Sequence, residues 1–485
     1  MKEDTSLKKQ FHGHSMRGVL LPLFSPFFYV LSFSCTLLFA DGVLADEMKA
    51  GTAKAVITPD KPYPLTSGKL KTGDMRPPEG KIHDIYARVL VLNDSSTRLV
   101  IVTYDMNSFD VATPILRQRC RDELGIDPSC LILVATHNHQ APMPRWEENF
   151  PHQKWLAGRV FDLIKEAIAN EQGPVKVFFG SGYGYFIRST GNAPADYEVQ
   201  VLKVMRGDKV LALLFNHPTH PLPTADNKIG VGHPGYAMDE IEQQIPGVLG
   251  LYGDACGANQ FVIPPEGVRQ PEGAQIIGKA LAQIVLTISG SPMQEVTGPI
   301  SSTMDVISLP LAPPPSYEEA LALAKDIPLD IGIVHGKNRD SNWIRTLLKY
   351  YREGIPFPTR TTDFVCTDTG YLARKPDEPR AFPCRFEEVI AAKIGPMPLV
   401  VMQGEVCAPI GMRIKDAFRY RMPIMVFAYM GEHNIYIPTR ELVRLDAYQA
   451  QVIRIQYGSP CGWAPDVEDE MVQGVIKMVK STLDK

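Results

Sequence analysis

The chain has 485 residues, 45% of them hydrophobic and 21% charged, with a formal net charge of −4. This is the composition of an ordinary globular enzyme, and so small a charge excess gives no basis for a nucleic-acid partner. Proline (41 residues) and glycine (38 residues) are plentiful, which points to many turns and a loop-built site on a mixed α/β scaffold.

The first segment reads as a targeting sequence. Lys8, Lys9 and Arg17 precede an apolar stretch from Gly18 to Ala40, and Val43-Leu44-Ala45 offers small residues for cleavage before Asp46. Residues 1–45 are therefore expected to be a signal peptide, with an uncleaved N-terminal anchor as the alternative, and the protein is expected to be exported. Of the eight cysteines, Cys35 would leave with this segment. In an exported chain disulfides are permitted: Cys366 with Cys384 is the first expected pair and Cys120 with Cys130 the second, which leaves an odd thiol over.

Strands are predicted at 52–59, 85–92 and 99–105, the last two as a hairpin around the polar turn Asn93–Thr97. A helix follows at 114–124, stopped by Gly125. Leu131-Ile132-Leu133-Val134 has the form of a buried strand and runs into Thr136-His137-Asn138-His139-Gln140-Ala141-Pro142. In a continuing strand, histidines at i and i+2 face the same way, so one can bind a metal while the other moves protons. A helix is expected at 154–170, a strand at 175–180, and a hairpin of 199–204 with 210–215 around Arg206-Gly207-Asp208. That hairpin ends at a second histidine-bearing segment, Asn216-His217-Pro218-Thr219-His220. Further on come a helix at 235–244, a strand at 248–252 and a helix at 273–289. Beyond Pro310, helices are expected at 317–325 and 342–352, and strands at 399–405, 424–429 and 434–439. No repeat or composition break divides residues 46–485, so they are read as one large α/β domain with a mixed β-sheet flanked by helices.

A catalytic zinc takes a few N or O ligands from separate elements and keeps one position open for water. On the residues alone, His137 and His217 are the natural nitrogen ligands. Glu405, at the end of an apolar run, supplies an oxygen, and His139 handles protons.

Several ordered blocks carry a family resemblance. Gly80-Lys81-Ile82-His83-Asp84-Ile85-Tyr86-Ala87-Arg88, Thr136 to Pro142, Arg188-Ser189 and His217-Pro218-Thr219 come first. Pro234-Gly235-Tyr236-Ala237, Gly404-Glu405, Tyr436-Ile437-Pro438-Thr439-Arg440-Glu441 and Tyr448-Gln449-Ala450-Gln451 follow in order. Together, from about Ala53 to Tyr457, they resemble the catalytic domain of the neutral/alkaline non-lysosomal ceramidases and their shorter bacterial relatives. The resemblance implies zinc bound by His137, His217, Glu405 and Tyr436, with His139 as acid/base. It implies that Arg188 holds a polar substrate group or the oxyanion and that Tyr436 stabilises the intermediate. The implied reaction is hydrolysis of a ceramide-type N-acyl amide, which makes membrane-surface association compatible with this reading.

One block departs from the pattern. Gly253-Asp254-Ala255-Cys256-Gly257-Ala258-Asn259 replaces the family's G-D-x-S-P-N, with Cys256 at the serine position and an extra residue before Asn259. Cys256 is thus either a functional stand-in or a small packing residue. His233 likewise stands where an acidic residue is usual. No C-terminal immunoglobulin-like domain is expected after the catalytic block. Two alternatives stay open: a zinc hydrolase of a non-lipid amide or ester, and a catalytically inactive ligand-binding relative. The sequence leaves oligomeric state open.

Overall fold

Alternating side chains on three sets of strands build the scaffold. The computed structural model describes residues 47–65, 77–144, 147–221, 227–325, 339–357, 360–361, 384–431, 435–455 and 459–484. The first sheet is β1 (Lys49–Val56), β2 (Tyr86–Asn93), β3 (Arg98–Tyr104) and β4 (Leu131–Ala135), antiparallel except for the last, parallel pair. The second contains β5 (Lys176–Tyr183), β7 (Glu198–Arg206), β8 (Lys209–Asn216) and β9 (Leu249–Tyr252), with β11 (Gln294–Glu295) beside β5. Here too only the final pair, β8 with β9, is parallel. Between these elements lie β6 (Ile187–Ser189) and β10 (Gln260–Val262), which form a two-stranded antiparallel ribbon.

The third sheet joins β12 (Ile300–Pro310), β14 (Cys384–Ile394), β15 (Met397–Met402) and β17 (Met425–Phe427), with β13 (Arg360–Thr361) at the start of β14. Its β15–β17 pair is again parallel. A last short pair, β16 (Glu405–Val406) and β18 (Tyr436–Ile437), is also parallel.

The expected single mixed sheet is therefore three mixed sheets, although the α/β class holds. On β2, Leu90 and Leu92 enter a central core shared by all three sheets, while Ala87, Val89 and Val91 face the other way, toward helices. Both faces of these strands are covered, so they read as continuous apolar runs rather than alternating ones. The first sheet is covered by α1 (Ala112–Leu124) and α2 (Phe150–Ala169), and the second by α3 (His233–Gln244) and α4 (Glu272–Gly290). Helices α5 (Tyr317–Ala324) and α6 (Arg339–Glu353) pack on each other, and α7 (Ala408–Phe418) with α10 (Val467–Leu483) covers the third sheet. Between them lie α8 (Arg440–Arg444) and α9 (Tyr448–Ile455). Among the described helices α4 alone is long and apolar enough to cross a membrane, and half of its apolar window is buried inside the protein.

The three parallel strands β4, β9 and β17 end together. The Asp254 N–H donates to the Ala135 carbonyl (3.0 Å), the Ala428 N–H to the Asp254 carbonyl (3.0 Å), and the Ala135 N–H to the Tyr429 carbonyl (3.2 Å). This closed ring of backbone bonds ties the sheets to one another at the point where each strand gives way to a loop. It satisfies polar groups that would otherwise be stranded in the core.

Residues 46–485 form one compact unit. Residues 1–45 and Cys366 lie outside the described residues. The expected Cys120–Cys130 bridge is not formed, because both thiols are free. Cys120 points from α1 into the core, where burial pushes its thiol up to about 12.

Candidate metal centre

The loop after β4 leaves the strand sooner than a continuing strand would. Asn138 anchors it: its side-chain amide donates to the Asp105 and Gly230 carbonyls, and its backbone N–H to the Met106 carbonyl. His137 is thereby held in the left-handed region, φ +54°. A non-glycine residue in that conformation is uncommon and is a mark of functional sites. Tyr429, just past β17, is also left-handed (φ +56°), and its ring lies 4.4 Å from that of His137.

The two loop imidazoles nevertheless meet. Nε2 of His139 lies 3.0 Å from Nε2 of His137, with the rings edge to face. Nε2 of His137 is also 3.3 Å from Oε2 of Glu405. Glu405 follows Gly404, which adopts φ +88° and whose Cβ position would fall 2.9 Å from the Ile435 carbonyl oxygen, so glycine is required there. The pairing of β16 with β18 then sets Glu405 directly beside Tyr436.

The remaining imidazole is that of His220, not His217. Its Nε2 lies 3.1 Å from Glu405 Oε2 and 3.0 Å from the Tyr436 hydroxyl. Its Nδ1 faces the Gly257 carbonyl at 3.0 Å. A carbonyl only accepts, so Nδ1 carries the hydrogen and the Nε2 lone pair of a neutral ring is aimed at a carboxylate. Two acceptors that close need a positive charge between them, either a proton or a metal cation. The nitrogens of His137, His139 and His220 lie within 4.8 Å of one another.

His217 is turned away from this cluster. Nε2 of His217 lies 3.2 Å from the Gly184 carbonyl, its ring packs on Phe186, and burial lowers its pKa to about 3. It is the first residue past β8, and the Tyr252 hydroxyl holds its carbonyl (2.7 Å) while the turn continues to His220. His217, expected as a ligand, thus stands apart from the cluster, and the histidine that joins it lies three residues along. The His-Pro dipeptide recurs at His220-Pro221, which was the available signal.

Cys256 does not reach the cluster either. A Cβ placed on Gly411 of α7 would fall 2.7 Å from its sulfur, so the thiol is the surface on which that helix seats. Burial drives its pKa far up. A thiol held protonated by burial is a weak nucleophile.

Electrostatics agree with a cation site. Burial lowers the pKa of His137 and lowers that of His139 strongly, each helped by neighbouring imidazoles. Burial alone would raise the Glu405 carboxyl, but positive charge on the His137 and His220 side outweighs it and holds it ionised; with neutral rings a metal cation would supply that charge. Neutral imidazoles and an ionised carboxylate are the ligand forms a metal requires. Four N or O ligands at about 2.0–2.1 Å around zinc stand roughly 3.3 Å apart. The 3.0–3.3 Å separations among His137, Glu405, His220 and Tyr436 have that size. The donor set therefore fits zinc.

Arg188 stands on β6 and is exposed. It pairs with Phe261 across the β6–β10 ribbon, and the Phe261 ring stacks on His220 at 4.9 Å. His233 is buried at the start of α3, outside the cluster, and burial holds its imidazole neutral.

No protein-family model matches the sequence, and neither does any curated protein. Solved structures do. The crystal structure of neutral ceramidase from Pseudomonas aeruginosa matches with a TM-score of 0.66 at 17% identity, over 90% of this chain and 75% of that one. A ceramidase complexed with C2 matches with a TM-score of 0.65 over the same shares of the two chains, again at 17% identity. This chain has the fold of neutral ceramidase.

Proposed function

We propose that this protein is a zinc-dependent amide hydrolase of the ceramidase type, cleaving an N-acyl amide. The observation that carries the reading is the convergence of His137, His220, Glu405 and Tyr436, with His139 beside them, where three sheets meet. Zinc held by the first four would polarise the scissile carbonyl and bring a water molecule toward neutral pKa.

The chain's own residues supply the rest. His139 is the histidine of the cluster that is partly open to solvent while His137 is fully enclosed, so His139 is placed to take a proton from water and return it to the leaving amine. Its lowered pKa keeps it neutral. The Tyr436 hydroxyl donates to negative charge developing on the carbonyl oxygen. The backbone carbonyls of Gly257 and Asn107 accept from Nδ1 of His220 and His137, as ligand-orienting partners do in metal sites.

A second reading follows from the spacing of the three imidazoles: His139 is itself a ligand, in a three-histidine set. Zinc per chain, measured by elemental analysis in wild type, Glu405→Ala and His139→Ala, separates the two. About one zinc in wild type, little in Glu405→Ala and full zinc with lost turnover in His139→Ala supports the first reading. Loss of zinc from His139→Ala supports the second, and no zinc in wild type overturns both. Ceramide and soluble N-acyl amides assayed side by side then define the substrate. We place the protein outside the cytoplasm on the strength of residues 1–45, and detection of those residues on mature cytoplasmic protein would reverse that.

A further inference from the structure

Beyond the metal ligands, the strand row that starts at His220 ends on a cation, Arg188, for which no carboxylate partner stands among the described residues. The His220 N–H bonds to the Gln260 carbonyl, and His220 bridges to Phe261 in parallel fashion. Phe261 in turn pairs with Arg188. His220, Phe261 and Arg188 therefore form one row across three adjacent strands, and partners in such a row share a face. The burial pattern agrees: Ile187 and Val262, the neighbours of Arg188 and Phe261, point inward onto Ile277. Strand spacing of about 4.8 Å puts the Arg188 backbone roughly 10 Å from that of His220.

Ile263, two residues past Phe261 and so on the same side, is exposed, as is Arg188. Among the described residues no carboxylate pairs with Arg188, whereas the buried Lys415 is paired with both Asp196 and Glu198. A guanidinium keeps its charge at every relevant pH and matches carboxylate or phosphate oxygens in a fork.

We infer that the substrate is an amphipathic N-acyl amide bearing an anionic group, carboxylate or phosphate, which Arg188 grips while the apolar part lies over Phe261 and Ile263. This inference rests on the hydrolase reading above and narrows its substrate class. Neutral ceramide-like amides would then be poorer ligands than anionic ones of the same length.

The test uses matched pairs with the same acyl chain: a carboxylate-terminated amide and its carboxamide, and the ketone isosteres of both, in which a methylene replaces the amide nitrogen. A phosphate-terminated version forms a third arm that separates the two anions. Calorimetric binding of the isosteres to the zinc-loaded full chain is expected to favour an anionic member by about tenfold or more. That preference should weaken with added salt, collapse in Arg188→Gln and persist in part in Arg188→Lys. Equal binding of anionic and neutral isosteres by wild type, or a preference that survives Arg188→Gln, overturns the inference. Turnover of the amides reports separately: a binding preference without hydrolysis would sink the hydrolase reading and leave the anion site standing.

Discussion

Nε2 of His220 lies 3.1 Å from Oε2 of Glu405 although the hydrogen of its ring is committed to the Gly257 carbonyl on the other side. That contact discriminates between the two histidines of the Asn216–His220 segment. His220→Ala removes a donor facing the carboxylate and is expected to lower zinc affinity by about a hundredfold or more. His217→Ala leaves the donor set intact and removes a buried ring that packs on Phe186. It should keep about one zinc per chain while losing roughly 1–3 kcal/mol of stability in urea unfolding. The opposite pattern, zinc lost in His217→Ala and kept in His220→Ala, would return the ligand role to His217.

Much of this centre was legible in the sequence, and the failures have physical causes. The runs that became β2, β3, β4 and β8 are apolar on both faces because helices cover one side and the shared core the other. Gly125 capped α1 in the left-handed conformation expected of it. His137, His139 and Glu405 stood out because each follows such a run. What periodicity does not encode is which strands share a sheet. The 11-residue pair β12 and β14 was not anticipated, and its absence left one sheet where there are three. Nor does it encode how far a loop turns before a side chain faces inward, which is what separates His217 from His220. Tyr436 entered through resemblance alone, since a lone tyrosine in a short strand reads as packing.

Gly257 explains why the altered turn still builds a site. Its carbonyl orients His220, and a Cβ at this position would fall 2.5 Å from the Thr219 backbone nitrogen. Gly257→Ala must therefore push the Thr219–His220 turn, backbone against backbone. Zinc affinity is expected to fall by about 10–100-fold, with a destabilisation of about 1–3 kcal/mol. Unchanged zinc affinity would mean that the turn does not position the ligand.

Cys256, one residue earlier, makes the contrasting prediction. If it only seats α7, Cys256→Ala keeps zinc and turnover within about threefold of wild type and lowers stability by roughly 1 kcal/mol. The native thiol should resist alkylation that proceeds readily after unfolding. Loss of turnover with zinc and fold intact would restore a chemical role.

A pH effect on stability is expected at His83, on the far side of α3. Nδ1 of His83 meets the Asp84 carbonyl at 2.6 Å and Nε2 meets Oδ2 of Asp239 at 2.7 Å, so both nitrogens face acceptors. The Asp239 bond, against the effect of burial, raises His83 above its ordinary 6.5. A raised folded pKa contributes stability that is complete below about pH 6.5 and is lost as pH rises through the raised value. Asp239→Asn should therefore lower Tm most near pH 6 and progressively less toward about pH 9. The effect should stay below about 1 kcal/mol because the pair is partly solvated. A difference that grows with pH would refute the assignment of charge.

His137 offers a test of backbone rather than chemistry. Its φ of +54° is one that alanine adopts at a disadvantage of about 1–2 kcal/mol and glycine adopts freely. Against this, glycine adds unfolded-chain entropy that destabilises by about 0.4–1 kcal/mol relative to alanine. The conformational term is the larger here, so the usual order reverses. His137→Gly is expected to be about 1 kcal/mol more stable than His137→Ala. Neither variant keeps the imidazole, so zinc binding cannot obscure the comparison, and it can be made by urea unfolding of the metal-free proteins. An alanine variant as stable as the glycine variant, or more so, would mean that the loop relaxes once the ring is gone. The left-handed turn would then be held by the imidazole's own contacts to Asn107 and Glu405 rather than by the Asn138 anchor.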